Sequence, residues 1–411
     1  MAGPDVAESL RPLRAGTVDC ITEDELREKL ASGRPLRIKL GLDPTASDIH
    51  LGSAVVLRKL RQFQDLGHVA VLIIGDFTAR VGDPSGRTAT RPPLSSDEID
   101  ANAMTYVDQA QHILLPDEDH LEVRRNSEWL VPMDMADVLR LTSRVTVARL
   151  LERNDFSARY EASEPISLME LLYPLLQGWD SVMIDADVEL GGTDQLFNIL
   201  MGRHLQEQVG KAPQVVLTTP LLVGIGGGEK MSKSLGNHVG ITEPPDQQFG
   251  KLMRIPDEVM PQYFELATGW GAERVAETIA EIERAEPAHR ARLKRELART
   301  VVDLYHGEGA GAAAESEFDR VFKDHAAPTE VPEYVIPPEE LRDGRIEVAR
   351  LLTLAGLAAS NREGRRKIQE GGVYLDEDER VTDPSLEVAP VEVDERVLRI
   401  GRRSWIRIRA R

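Results

Sequence analysis

Short apolar runs alternate with stretches of helical periodicity over the first part of the chain. The pattern predicts a buried strand at 36–42, an amphipathic helix at 51–66 and a second buried strand at 69–75, which together make one βαβ unit. Further apolar runs at 186–190 and 215–223 each precede a glycine-containing loop. This repetition is typical of an α/β fold with a Rossmann-like, doubly wound parallel sheet, whose ligands bind beyond the carboxyl ends of the strands.

The pattern then becomes helical and finally changes character. Helical periodicity at 96–115 and 133–152 interrupts the alternation and predicts an inserted helical segment, and residues 245–325 are mostly helical in pattern. Four prolines between 326 and 344 disfavour helix and sheet and predict a stiff spacer. The predicted domains are 1–240 with a helical insertion at about 90–165, a helical domain at 241–325, a Pro-rich linker at 326–344 and a tail domain at 345–411.

The tail differs from the rest of the chain in charge. It carries 14 basic and 12 acidic residues, whereas the whole chain has 50 Lys and Arg against 69 Asp and Glu, a net charge of −19. Residues 396–411 hold seven arginines and no acid, alternating with Ile400, Trp405, Ile406 and Ile408. This predicts a small sheet with an arginine face, which could neutralise RNA phosphates. Two alternatives stay open: Trp405 stacks on a base or belongs to the core, and the arginines bind RNA or pair with the acids of 376–379.

Composition excludes several classes of protein. A single cysteine, Cys20, rules out an internal disulfide framework and a cysteine-based zinc site, as expected in a reducing cytoplasm. The first 16 residues lack the apolar core of a signal peptide, and no apolar run approaches the roughly 18 residues of a membrane span. We therefore expect a soluble, cytoplasmic protein with no membrane contact.

Two segments have the chemistry of phosphate binding. His50-Leu51-Gly52-Ser53 stands at a predicted helix start, where free N–H groups and the helix dipole favour an anion. Residues 230–234, Lys-Met-Ser-Lys-Ser, lie between glycines, so two ammonium groups could close on a triphosphate. Taken singly, the first is equally a helix cap and the second a solvated surface loop. Their joint occurrence, each after a predicted strand of one sheet, favours nucleotide chemistry.

A third anion-facing candidate follows the second predicted strand. Gly-Asp-Pro-Ser-Gly-Arg at 82–87, with Arg91 beyond it, marks a tight turn. Asp83 could bind a ligand amine there, and Arg87 and Arg91 a phosphate. By turn chemistry alone the segment is a plain surface turn.

A polar stripe predicts a side-chain pocket. Tyr173, Gln177 and Asp180 stand at i, i+4 and i+7 of a helix that begins after Ser167, and the three side chains suit a ligand with polar groups at both ends. Pro174 could kink this helix, and a solvated polar face is the alternative. Gly-Gly-Thr-Asp-Gln at 191–195 follows a predicted strand, so Asp194 is either a ribose acceptor or a helix cap.

These motifs, in this order and over nearly the whole chain, resemble the class I aminoacyl-tRNA synthetases, and among them the bacterial tyrosyl-tRNA synthetases; 346–411 resembles the S4 RNA-binding fold. The resemblance implies an α/β catalytic domain, an α-helical anticodon-region domain and a small α+β S4-like domain. Carried over by position, it implies catalytic roles for Thr45, His50, Lys230 and Lys233, contacts with ATP for Asp43, Gly52, Ser53, Arg87, Arg91, Gly192, Asp194, Met231, Ser232 and Ser234, contacts with tyrosine for Lys39, Asp83, Tyr173, Gln177, Asp180 and Gln195, and contacts with RNA for Arg362, Arg365, Arg366, Lys367, Arg402 and Arg403.

The implied activity is activation of L-tyrosine with ATP, followed by transfer of the tyrosyl group to the 3′ end of tRNA(Tyr). Mg²⁺ is expected only with ATP, with no dedicated metal site and no tightly bound cofactor, because no carboxylate cluster has metal-ligand spacing. A homodimer through the helices between 96 and 152 is implied, although their apolar stripes also suit internal packing. Two rival functions are a tryptophanyl enzyme, which the Asp180 stripe disfavours, and a non-catalytic RNA-binding protein, which the intact lysines disfavour.

Two positions depart from the family pattern. Ser53 stands where the first signature has a second histidine, and its shorter, uncharged hydroxyl can still bond a sugar. Lys39 stands where one branch of the family has a tyrosine that binds the substrate hydroxyl. The lysine either donates to that hydroxyl or pairs with Asp180.

Overall fold

The computed structural model describes residues 6–44, 48–83, 95–323, 331–376, 379–401 and 404–410. The chain divides into two compact units, Met1–Gly307 and Glu308–Arg411. Among the described residues, no helix has the length and apolar character needed to cross a membrane.

The first unit is built on one sheet, which within the described ranges has six strands. In space they run β1-β6-β5-β2-β3-β4; β2 to β6 pair in parallel, and β1 lies antiparallel to β6. β5 and β6 are buried along their whole length and β3 nearly so, which explains the continuous apolar sequence of β3 and the rarity of charged residues in β5 and β6, where Glu189 is the one exception. The strands are β1 (Cys20–Ile21), β2 (Arg37–Leu42), β3 (Val69–Ile74), β4 (Leu121–Arg125), β5 (Val188–Gly192) and β6 (Val215–Thr219).

Helices surround this sheet, so the predicted doubly wound fold is confirmed. One buried cluster packs Val71 and Ile73 of the sheet against Leu175, Leu176 and Leu205 of two long helices. The helices of this unit are α1 (Val6–Arg14), α2 (Glu23–Ala31), α3 (Leu51–Asp65), α4 (Thr78–Val81), α5 (Ser96–Ala110), α6 (Ser127–Leu130), α7 (Met135–Thr142), α8 (Val147–Leu150), α9 (Asn154–Glu161), α10 (Leu168–Met183), α11 (Leu196–Gln208), α12 (Pro245–Leu252), α13 (Met260–Ala267), α14 (Ala272–Arg284) and α15 (Pro287–His306).

The second unit has its own sheet and its own core. Among the described residues, the five strands of this sheet run β10-β9-β12-β13-β7 in space, and β11 pairs separately with β8. The buried core of the unit includes Leu351, Leu352, Leu398 and Ile408. Its elements are α16 (Ala310–Phe322), β7 (Glu333–Val335), β8 (Ile346–Glu347), α17 (Val348–Leu354), α18 (Asn361–Gln369), β9 (Val373–Leu375), β10 (Glu379–Arg380), β11 (Glu387–Val388), α19 (Pro390–Val393), β12 (Val397–Ile400) and β13 (Ser404–Arg409).

The structure differs from the predicted spacer at 326–344. β7 pairs in parallel with β13, and Ile336 is buried in the core of the tail, so the described part of this segment belongs to the tail sheet. Its prolines occupy positions that a sheet tolerates: Pro332 precedes an edge strand, and Pro337 and Pro338 lie in a 3₁₀ turn. Residues 326–330 of the predicted spacer lie outside the described residues.

Candidate active site

A cavity of about 750 Å³ opens at the carboxyl ends of β2, β3 and β5, the edge at which the sequence predicted ligand binding. It collects residues from five separated motifs of the chain. The predicted site residues that line it are Asp43, His50, Gly52, Ser53, Asp83, Tyr173, Gln177, Asp180, Gly192, Asp194, Gln195, Lys230, Met231, Ser232 and Ser234.

The first phosphate-binding candidate, His50-Leu51-Gly52-Ser53, forms the start of α3. His50 is the N-cap, and its Nδ1 accepts a hydrogen bond from the Ser53 backbone N–H at 3.3 Å. Burial, and then the charge of Lys233, lowers the pKa of the His50 ring to about 4. The imidazole is therefore neutral at pH 7, and its Nε2 carries the proton, because Nδ1 accepts. His50 thus offers an N–H donor without a positive charge.

The two phosphate-binding candidates, residues 50–53 and the lysine motif at 230–234, lie against each other. The N–H of Leu51 donates to the Val239 carbonyl at 2.9 Å, and the N–H of Ile241 donates to the Ile49 carbonyl at 3.0 Å, so the chain after the lysine motif pairs with the start of α3. A Cβ on Gly52 would lie 3.5 Å from the Met231 Cβ and 3.1 Å from His50 Cε1. The lysine motif therefore borders the helix start, and their meeting does not need a large movement.

Both signature lysines contact carboxylates. Lys230 Nζ is 2.7 Å from Asp194 Oδ2, and Lys233 Nζ is 3.5 Å from Asp48 Oδ2. Each ion pair is partly exposed, so it contributes little to the free energy of folding. An anion of higher charge can therefore displace the carboxylate. Asn237 holds the motif in shape, since its Oδ1 accepts from Ser232 N at 2.7 Å and its Nδ2 donates to the Lys230 carbonyl at 3.1 Å.

A buried carboxylate lies at the other end of the cavity. Asp180 is 3% exposed; its Oδ1 accepts from Trp129 Nε1 at 2.8 Å and its Oδ2 from Asn126 Nδ2 at 3.3 Å. Burial raises the pKa of Asp180 to about 7, against the opposing effects of Lys39 and the two donors. Carboxylate oxygens have further acceptor capacity, so Asp180 can accept another hydrogen bond from a ligand hydroxyl.

A second polar group gathers at the ends of β2 and β3. Tyr173 donates its hydroxyl to Asp43 Oδ2 at 2.9 Å, and Thr78 donates to Asp43 Oδ1 at 2.8 Å. Burial, in the first place, raises the pKa of Asp43 to about 7. Gln195 Nε2 donates to Asp83 Oδ2 at 2.8 Å. This group is rich in acceptors and suits a cationic ligand amine.

Gln177 adds an open acceptor to the cavity. Its Oε1 is buried and has no hydrogen-bond partner among the described residues. An unsatisfied buried oxygen costs free energy unless a ligand supplies a donor. Gln177 therefore also points to a donor-bearing ligand.

The structure places Lys39 elsewhere. Lys39 does not line the cavity and is fully buried, with its Nζ 2.8 Å from Glu189 Oε1 and 2.8 Å from Ser181 Oγ. This corrects both alternatives that the sequence left open, donation to a substrate hydroxyl and direct pairing with Asp180. The reason is strand pairing, because Lys39 of β2 lies in register with Glu189 of β5.

Three site residues escaped sequence reasoning: Asn126 and Trp129, which donate to Asp180, and Thr78, which donates to Asp43. Asn126 and Trp129 follow β4, a strand whose alternation is too weak to predict it. The rule that ligands meet strand ends would have found them once β4 was known. Several predicted residues lie outside the described residues, namely Thr45, Arg87, Arg91, Arg402 and Arg403.

Four residues predicted to contact RNA, Arg362, Arg365, Arg366 and Lys367, lie on α18 within the second unit. Arg365 forms two hydrogen bonds with Glu347, at 2.6 and 2.8 Å, and Arg366 and Lys367 lie 3.7 to 3.8 Å from Glu370. Arg362 is exposed. These pairs lie at the surface, where phosphates can replace the carboxylates.

The tail sheet decides one of the alternatives. Trp405 is only 6% exposed, so it belongs to the core and does not present a free face to a base. Arg396 pairs with Asp376 at 2.7 Å and also with Glu379. For this arginine the structure agrees with the second alternative, pairing with the acids of 376–379.

Comparison with known proteins gives a consistent match. A family model described as tRNA synthetases class I (W and Y) matches residues 31–323. A tyrosine–tRNA ligase of Moorella thermoacetica is 49% identical, covering 98% of this chain and 96% of that protein, and one of Deinococcus radiodurans is 48% identical, covering 96% and 94%. A tyrosyl-tRNA synthetase from Archaeoglobus fulgidus, solved with L-tyrosine, shares the fold with a TM-score of 0.62 at 23% identity, covering 75% of this chain and 99% of that one.

Proposed function

The chain belongs to the class I tRNA synthetases of the tryptophan and tyrosine group, and we propose that it ligates L-tyrosine to tRNA(Tyr) in the cavity described above. The observation that carries the proposal is one cavity that is lined by a buried carboxylate, Asp180, and by two phosphate-binding candidates, His50 and Lys230. Lys233 does not line the cavity itself; its Nζ lies 3.5 Å from Asp48 Oδ2, just before the start of α3. Tyrosine fits between these ends, with its phenol toward Asp180 and its carboxylate toward the phosphates.

The roles at the tyrosine end follow from donor and acceptor chemistry. Asp180 accepts the phenolic hydrogen while Trp129 and Asn126 hold the carboxylate in place. The α-ammonium group has three hydrogens, and Asp83, Tyr173 and Gln177 offer oxygens for them, with the open Gln177 Oε1 as support. Gln195 lies along the tyrosyl group and holds Asp83.

ATP occupies the other end. His50 supplies a neutral N–H donor to a phosphate oxygen. Thr45 donates its hydroxyl to a phosphate, and Lys230 and Lys233, with Arg87 and Arg91, neutralise charge on the leaving pyrophosphate. Asp194 exchanges Lys230 for a ribose hydroxyl, and Asp43 and Ser53 lie beside the nucleoside. A Cβ on Gly192 would lie 2.6 Å from Leu221 Cδ2 and 2.8 Å from Asp194 Oδ1, so a larger residue there would displace these two side chains.

The chemistry needs no protein nucleophile. The tyrosine carboxylate, ionised near neutral pH, attacks the α-phosphorus of ATP; the new C–O–P linkage forms as the bond to pyrophosphate breaks. A ribose hydroxyl at the 3′ end of tRNA then attacks the tyrosyl carbonyl, loses its proton, and AMP leaves. The protein positions the reactants and stabilises developing charge.

Mg²⁺ is proposed as part of the ATP substrate. Among the described residues, no group of three or more His, Cys, Asp or Glu side chains could hold a metal ion. The β- and γ-phosphates would provide its ligands together with water.

A homodimer is proposed through the helices that follow β4. Val131, Met135 and Leu139 are 62%, 74% and 62% exposed, and three large apolar side chains on one short stretch cost solvation unless a second copy covers them. We further propose that the protein acts in the cytoplasm, where its substrate tRNA is charged, and that α18 and the neighbouring arginines bind that tRNA by exchanging carboxylates for phosphates.

The test is amino-acid-dependent exchange of pyrophosphate into ATP, followed by charging of tRNA(Tyr), with the purified chain. Exchange with L-tyrosine and none with L-tryptophan or L-phenylalanine at equal concentration is expected. Exchange with tryptophan alone would reassign the substrate, and no exchange with any amino acid would favour a non-catalytic RNA-binding protein.

A further inference from the structure

A fully buried ion pair lies directly behind the tyrosine end of the cavity. Lys39 and Glu189 are 0% and 1% exposed, and Lys39 Nζ is 2.8 Å from Glu189 Oε1. Neither residue lines the cavity. Replacing such a pair by apolar residues is often neutral or stabilising in proteins, so fold stability alone is a weak reason for its presence.

Every polar atom of the two charged groups has a hydrogen-bond partner. Lys39 Nζ donates to Glu189, to Ser181 Oγ at 2.8 Å and to the Gln177 carbonyl at 2.9 Å, which uses its three hydrogens. Ser181 in turn donates to Glu189 Oε2 at 2.8 Å, and Gln214 donates to the same oxygen. The network is therefore complete with an ammonium and a carboxylate, and it fixes the turn of α10 that carries Gln177 and Ser181.

Asp180 stands on that same turn, next to Ser181. The positive charge of Lys39 lowers the pKa of Asp180 and the negative charge of Glu189 raises it, with Lys39 the stronger of the two. The other groups facing Asp180 are the neutral donors Trp129 and Asn126, together with Tyr173 and Asp43.

We propose that the buried Lys39–Glu189 pair sets how strongly the cavity prefers a phenol to an unsubstituted phenyl ring, acting through Asp180 without touching the substrate. Lys39 is thus a positioning residue, and the inference rests on the proposed function. A phenol donates to Asp180, whereas the phenyl ring of phenylalanine leaves it unpaired. An unpaired carboxylate costs more than an unpaired carboxylic acid, so discrimination is greatest when Asp180 is ionised.

The test compares the binding of two ligands, so that the effects of other titrating groups cancel in the ratio of their constants. In tyrosine-dependent pyrophosphate exchange by the full chain, KM for tyrosine and the inhibition constant of L-phenylalanine are measured from pH 6 to 9. Both ligands carry the same α-ammonium, so the titration of Asp43 affects both alike. The ratio of the phenylalanine constant to the tyrosine KM should rise with pH, since Asp180 ionises around pH 7.

Variants of the two partners should move this profile in opposite directions. Lys39→Met removes the charge that favours ionised Asp180, so its midpoint moves to higher pH and the ratio at pH 7 falls about three- to tenfold. Glu189→Gln removes the opposing charge while keeping a side chain that can hydrogen-bond, so its midpoint moves to lower pH. Lys39→Met/Glu189→Gln should lie between the wild type and Lys39→Met, because Lys39 outweighs Glu189.

If the Lys39–Glu189 pair only stabilised the fold, the variants would behave differently. Both single variants break the same ion pair, so shifts in the same direction, or unchanged profiles with only a lower melting temperature, would overturn the proposal. If a single variant does not fold, the double variant decides: an upward shift supports the proposal and an unmoved midpoint refutes it. A wild-type chain without tyrosine-dependent exchange would instead refute the proposed function, which keeps the two failures distinct.

Discussion

At the scale of single residues, the chemistry of the site depends on environment more than on residue type. Asp180 and Asp194 are both aspartates of the cavity, but one is buried against an indole N–H and the other pairs with a partly exposed lysine. The buried carboxylate selects a ligand donor because leaving it unpaired costs the full desolvation penalty, whereas the exposed one can exchange its partner with little loss.

Asp180→Asn should therefore remove recognition of tyrosine. Trp129 and Asn126 both donate toward this side chain, so an amide would place its NH₂ against one of these donors and leave a poor acceptor for the phenol. We expect tyrosine-dependent exchange to fall by a factor on the order of 10² or more. Asp185→Asn is the matched control, since Asp185 is exposed, and its exchange rate should be unchanged. Wild-type exchange by Asp180→Asn would contradict the assignment.

Changes at the phosphate end should affect turnover and spare tyrosine binding. His50→Asn keeps a good helix cap but shortens the donor, and Lys233→Ala removes a cation. Each should lower kcat on the order of 10²- to 10³-fold with KM for tyrosine nearly constant, because these groups act on developing charge. Lys323→Ala, at an exposed lysine of the other unit, should behave as wild type. Steady-state exchange kinetics measure both constants, and a loss confined to tyrosine affinity would be the wrong pattern.

At the scale of elements, strand ends bring the site together by close approach of the backbone. Gly75, immediately after β3, lies against the Asp43–Thr78 hydrogen bond, and a Cβ there would overlap both side-chain oxygens. The Tyr173 hydroxyl also depends on Asp43. One glycine thus permits the contact between the ends of two strands and α10.

Gly75→Ala should for this reason damage both stability and activity. Displacing Asp43 and Thr78 should lower the free energy of unfolding by about 1–3 kcal/mol, as overpacking usually does, and raise KM for tyrosine. Gly250→Ala in α12 is the control, because no atom lies within 4 Å of the added Cβ and alanine gains up to about 1 kcal/mol of helix propensity. Denaturant unfolding and exchange kinetics provide the readouts. Equal stability of the two variants would argue against the close approach.

The elements also show what a sequence can predict. The strand at 69–75 and the helix at 51–66 appear within one residue of their predicted ends, because continuous burial and 3.6-residue periodicity are local signals. The helical pattern predicted at 133–152 forms two short helices, α7 and α8, since Thr146 caps a new helix. Lys39 was misplaced because its partner is fixed by the register of β2 with β5, which no local pattern carries.

At the scale of the whole molecule, five motifs far apart in sequence line one cavity because parallel strands end at one edge. The motifs themselves were predictable from the sequence, as was the sheet that gathers them. The donors Asn126 and Trp129 were not, because their position depends on the weakly patterned β4.

Truncation after residue 323 should separate the two chemical steps. This cut removes β7 together with the tail sheet it belongs to and keeps the whole span matched by the family model. Tyrosine activation should survive while tRNA charging falls, and the charging of the full chain should weaken as salt rises, since phosphate contacts release counterions. Exchange and charging assays on both forms measure this. A parallel loss of both steps would indicate a purely structural tail.

The most direct measurement is a crystal structure of the chain with L-tyrosine and a non-hydrolysable ATP analogue. We expect the phenol within hydrogen-bond distance of Asp180, the ribose at Asp194, and the triphosphate between His50 and the two lysines at 230 and 233. Tyrosine bound with its ring away from Asp180, or a nucleotide bound outside this cavity, would contradict a single site for both substrates.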